Sequence, residues 1–76
     1  MNISDNLVTK IVDKKGTVKV KDLLVYSGDN VNQAMIDAHL ASALRNKWVY
    51  IEDQGEYKEC SLTVYGMNLM FGVKYC

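Results

Sequence analysis

The chain has 76 residues, of which 49% are apolar, and its nine Lys and Arg balance nine Asp and Glu to a formal net charge of zero. That length holds one domain, residues 1–76, with a thin core, and the composition is globular rather than disordered. A neutral chain lacks the general attraction to polyanions of a strongly basic domain, so any binding of nucleic acid depends on where the charges lie.

No run of about 20 apolar residues occurs, so no membrane partner is expected. The opening Met1-Asn2-Ile3-Ser4-Asp5 lacks the basic start and apolar stretch of a secretory signal, and a cytoplasmic location is expected.

In chain order, Ser4 is a candidate N-cap for a first helix, with Asp5 at its positive end. Leu7, Val8, Ile11 and Val12 recur at helical spacing, and Lys14-Lys15-Gly16 reads as a C-terminal stop. Residues 17–20 are short, β-branched and alternating, suited to a small strand. Residues 21–27, with Leu23, Leu24 and Tyr26 before Gly28, predict a short second helix and a turn.

A third helix over about 30–46 is the clearest, capped by Asn30 or Asn32. Ile36, Leu40, Ala43 and Leu44 should face the core, and Val31, Ala34, Met35 and Ala38 project on the other side. Trp48-Val49-Tyr50-Ile51 reads as a strand, residues 52–56 as a polar turn with Gly55, and residues 57–62 as the returning strand. Thr63 can cap a last short helix, against which Val64, Tyr65, Gly66 and Gly72 weigh.

Three segments, spread over residues 17–66, carry a family likeness: Val20-Lys21-Asp22-Leu23-Leu24-Val25-Tyr26-Ser27-Gly28, Leu40-Ala41-Ser42-Ala43-Leu44-Arg45-Asn46-Lys47-Trp48-Val49 and Leu62-Thr63-Val64-Tyr65-Gly66. In order and spacing they resemble the second helix and turn, the recognition helix running into the first wing strand, and the leucine-threonine-x-x-glycine end of the second wing strand in the winged helix-turn-helix superfamily. The nearest flavour is that of small phage- or plasmid-type transcription regulators. Two places depart from the pattern. Asn46-Lys47 stands where a glycine usually precedes the first wing strand, with asparagine the residue that tolerates left-handed backbone, and the turn over residues 28–32 does not align.

The resemblance implies an α+β winged helix-turn-helix fold: a three-helix bundle, a two-stranded β-hairpin wing and a short C-terminal helix. It also implies a DNA-binding transcription regulator whose third helix enters the major groove of double-stranded DNA. Candidate base-reading or phosphate-contacting residues on that helix are Asn30, Asn32, Gln33, Ser42 and Arg45, because amides pair bidentately with adenine and arginine with guanine. Asn30 and Asn32 serve equally as helix caps.

Lysines 10, 14, 15, 19 and 21 form the one basic concentration, from which Lys14, Lys19 and Lys21 are candidate phosphate contacts. Lysines at a helix end also simply complement its dipole. The wing is acidic: Glu52, Asp53, Glu56 and Glu59 surround Lys58, and phosphate would repel them. Hence the alternative of a protein-interaction module, using Glu52, Asp53 and Glu56 or the Val31 and Met35 face to hold a protein partner.

The apolar residues 67–75 either complete the core or form a two-fold homodimer contact. His39 lacks neighbours that would complete a catalytic set, and no phosphate loop or nucleophile motif occurs, so no enzyme and no catalytic residue is expected. The single histidine and the distant Cys60 and Cys76 lack paired-ligand spacing. Neither a metal, a cofactor nor a structural disulfide is expected.

Overall fold

A computed structural model describes residues 2–72. Asn6, not Ser4, starts the first helix: its side chain accepts from the Thr9 N–H and caps α1 (Leu7–Lys15), while Ile3–Asp5 forms a separate 3-10 turn. Val8 and Val12 turn inward from α1 at the i, i+4 spacing and are almost fully buried. Gly16 ends the helix at a φ of 91°, a conformation open to glycine alone at little cost.

Strand β1 (Val18–Lys19) follows. The expected second helix is replaced by two 3-10 turns, Val20–Asp22 and Val25–Ser27. The stretch is too short to overcome helix nucleation, and Val20, Val25 and Tyr26 lose side-chain freedom in a helix. Leu23, between the turns, is nonetheless fully buried and pins the segment to the core.

Helix α2 spans Gln33–Arg45. Asn32 caps it, accepting from the Met35 N–H at 2.9 Å, so the cap falls on the second of the two candidate asparagines. Ile36 and Ala43 are buried and Leu40 packs beside them, but Leu44 is 39% exposed. At about 100° per residue Leu44 lies roughly 80° from Ile36, at the margin of the stripe. Val31 precedes the helix and packs partly against the core rather than on the free face.

Strands β2 (Val49–Asp53) and β3 (Lys58–Leu62) form the expected hairpin. β1 joins it, pairing Val18 with Cys60 and Lys19 with Glu59, so the sheet has three antiparallel strands in the order β1-β3-β2. Helix α3 (Val64–Phe71) closes the described chain, capped by the Thr63 hydroxyl and ended by Gly72 in the left-handed region. The domain is thus α+β, three α-helices against a three-stranded antiparallel sheet. The core gathers Ile3, Val8, Ile11, Val12, Val18, Leu23, Ile36, Ala43, Trp48, Val49 and Cys60 from every layer.

Cys60 is a free, buried thiol, its pKa pushed up to about 11 by burial. Cys76 and residues 73–75 of the expected 67–75 contact lie outside the described residues. Among the described residues no helix is long and apolar enough to cross a membrane.

Candidate nucleic-acid interface

Helix α1 and strand β1 bring the lysines together. Helical spacing sets Lys10 and Lys14 one turn apart on α1, roughly 6 Å along its axis, with Lys15 beside them. The 3-10 turn Val25–Ser27 packs alongside, and the resulting open groove is lined by Leu7, Lys10, Ile11, Lys14, Lys15, Tyr26 and Ser27. The Lys15 ammonium lies 4.9 Å from the Tyr26 ring centroid. An adjoining groove shares Lys15 and Tyr26 and continues through Lys19 to Asp22 and Glu59. Lys19 lies over Tyr57, 4.6 Å from its centroid. Lys14 and Lys19 therefore belong to one continuous basic band, which ends where the carboxylates begin.

α2 lines neither groove. Its own exposed residues are Gln33, Ala34, Met35, Asp37, Ala38, Ala41, Leu44 and Arg45, with Met35 40% exposed. Gln33 donates to the Asp37 carboxylate at 2.8 Å, so both side chains are partly satisfied within the helix. Asn30 is exposed, while the Asn32 oxygen is used by the cap. Ser42 departs from the expected set: it is buried, with its hydroxyl 3.4 Å from the Asn46 amide nitrogen, because it falls on the inward side next to Ala43. Arg45 is exposed in the last turn of α2, and Lys21 is exposed in the turn Val20–Asp22.

The hairpin end is negative. Glu52, Asp53 and Glu56 are exposed, and the Asp53 carboxylate accepts from the Gly55 N–H at 2.8 Å, which shapes the turn. In the register Asp53 faces Lys58, whereas Glu59 sits between Lys19 on one side and Glu52 on the other.

His39 has a structural part. Its Nδ1 accepts from the Leu7 N–H at 2.9 Å, and its carbonyl accepts from the Asn6 side chain at 2.8 Å. The start of α1 is tied to the middle of α2 by that pair.

Tyr26 was not legible as a site residue, because an aromatic next to a Ser-Gly turn carries no periodic signal. The lysines around it were legible as a cluster. Among the described residues no group of three His, Cys, Asp or Glu is placed to hold a metal ion. Comparison of the chain with protein-family models, with curated proteins and with solved structures gives no match in any of the three.

Proposed function

We propose that the chain is a winged helix-turn-helix domain that binds double-stranded DNA as a small, non-enzymatic transcription regulator. The observation that carries this reading is topological. An exposed helix, α2, runs directly into the β2–β3 hairpin, and the short strand after α1 pairs with the second hairpin strand to give the order β1-β3-β2. That order supports reading the hairpin as a wing and α2 as the helix that enters a groove.

Asn30, Gln33 and Arg45 are the exposed groups for base edges, and Lys19 and Lys21 those for phosphates. Ser42 leaves the set because it is buried, and Asn32 acts as a cap. The acidic wing stays off the backbone. Arg45→Ala should weaken binding of a duplex by about tenfold through a lost bidentate base contact, and Lys21→Ala should weaken it through a lost phosphate contact, with the fold unchanged. Duplex affinity that neither change moves would remove α2 from the interface.

The charge pattern favours a second reading, a protein-interaction module. Three exposed carboxylates, Glu52, Asp53 and Glu56, mark the wing, and Met35 lies exposed among alanines on α2. A basic partner surface suits the first, an apolar one the second. Reversing Glu52 and Asp53 to lysine separates the readings: it abolishes a complex with a basic protein but strengthens binding to DNA. Self-association through α3 is compatible with either, since Val64, Tyr65, Leu69 and Phe71 are exposed on a helix without a charged residue.

A further inference from the structure

The basic groove between α1 and the turn Val25–Ser27 has properties that a duplex contact does not require. It is concave, about 350 Å³, within the range of small-ligand sites. Its walls differ in kind. Lys10, Lys14 and Lys15 supply three exposed ammonium groups, and no carboxylate is among the lining residues. Tyr26, 47% exposed, supplies a ring. The floor is aliphatic but largely closed, with Ile11 only 8% exposed, so it offers little apolar surface for a partner helix to bury.

We infer that this groove binds a nucleotide unit, phosphates on Lys10 and Lys14 and a planar base on Tyr26. Two lysines one helical turn apart fit adjacent phosphoryl groups, each as a compact point charge with three donors. Lys15, now over the Tyr26 ring, moves to the phosphates on binding and leaves the ring face to the base. Stacking of a base on an aromatic side chain tolerates any base, so the site selects a phosphorylated planar ring rather than a particular one. The unit comes either from a free nucleotide or from an unpaired nucleotide in a single strand, since both present the same phosphate and base. The inference does not rest on the duplex reading, which uses Arg45 and Lys21 instead.

The test is a titration of the isotope-labelled full chain, followed by amide shifts at low salt without divalent metal, using ATP, inorganic triphosphate, adenosine and a short oligothymidylate. ATP is expected to shift Lys10, Lys14, Tyr26 and Ser27 with Kd below about 1 mM, triphosphate to bind the same lysines about tenfold more weakly, and adenosine not to bind. Lys10→Gln with Lys14→Gln should weaken ATP at least about tenfold, while the charge-matched Lys47→Gln with Lys58→Gln leaves it within about twofold. All four lysines are exposed, so both doubles keep the native spectrum.

Equal losses in the two doubles would reduce the effect to diffuse charge and overturn the site. Triphosphate binding as tightly as ATP would overturn the role of Tyr26, and shifts elsewhere than the groove would overturn both. Tighter binding of the oligothymidylate than of ATP makes the source a single strand; weaker binding makes it a free nucleotide.

Discussion

Gly66 lies directly against the carbonyl of Trp48: a β-carbon at position 66 would sit well inside contact distance of that oxygen. The Thr63 hydroxyl works at the same junction. It accepts from the Gly66 N–H at 2.9 Å and donates to the Lys47 carbonyl at 2.6 Å, while the Thr63 N–H donates to Trp48 at 2.9 Å. The Leu62-Thr63-Val64-Tyr65-Gly66 motif is thus a clasp between the end of the hairpin and the residues that precede it. Gly66→Ala should destabilise the fold by about 1–3 kcal/mol or more, because a backbone carbonyl has nowhere to move. At Gly55 an added β-carbon meets nothing, so only the φ of 94° would strain another residue there, and Gly55→Ala should cost about 1–2 kcal/mol. Urea denaturation of the two variants checks the ranking, and equal midpoints would contradict the clasp.

Lys47 takes the left-handed conformation, with φ of 61°, at the junction between α2 and β2. Asn46, the residue better suited to it, stays in the helical region at φ −84°, its side chain bonded back to Ser42 at 2.8 Å. Lys47→Gly should therefore stabilise the domain, by up to about 1 kcal/mol, since the relieved strain outweighs the added freedom of the unfolded chain. A raised melting temperature checks this; an unchanged or lower one would show the position is not strained.

The two candidate cap residues of α2 separate cleanly. Asn32→Ala should cost about 1 kcal/mol, with the Met35 N–H left unpartnered, while Asn30→Ala should leave stability unchanged. Loss of duplex binding in Asn30→Ala alone would then report a contact rather than a fold defect.

Asn6 is fully buried and spans the α1–α2 junction. Asn6→Ala removes the α1 cap and leaves the Thr9 N–H and the His39 carbonyl without that partner, at a combined cost of about 2–4 kcal/mol. His39→Phe removes only the acceptor for the Leu7 N–H and should cost less. Chemical denaturation of both orders the two losses.

Cys60 makes stability fall in alkali. Burial raises its thiol from 9.0 to about 11, so the folded state holds a proton that the unfolded state gives up. The contribution is complete below pH 9.0 and is lost as pH rises through about 11. At pH 8 the native thiol should resist alkylation and react on unfolding, read by peptide mapping that separates it from Cys76. Alkylation of Cys60 at the rate of a free thiol in the native protein would contradict its burial.

Much of the element order was legible because the apolar periods of α1, α2 and the hairpin are regular and bounded by asparagine, glycine or threonine. The failures have local causes. The segment with Leu23 and Leu24 carries helical spacing, yet it is too short and too β-branched to hold more than 3-10 turns. β1 was legible as a small strand, but its pairing with β3, which makes the sheet three-stranded, is encoded by no local pattern. Ser42 looks like a polar residue on a helix, and only the rotation of α2 buries it. The lysines were legible as a cluster, whereas their gathering around Tyr26 depends on how the turn Val25–Ser27 packs beside α1.

The central claim, duplex binding by a winged helix through α2, is tested most directly by the salt dependence of affinity for double-stranded DNA. With Lys19 and Lys21 on the phosphates, log K should fall against log salt with a slope of about −2, and Arg45→Ala, on a base edge, should weaken binding at every salt concentration. No binding at about 20 mM salt, or an affinity that salt does not change, would contradict it.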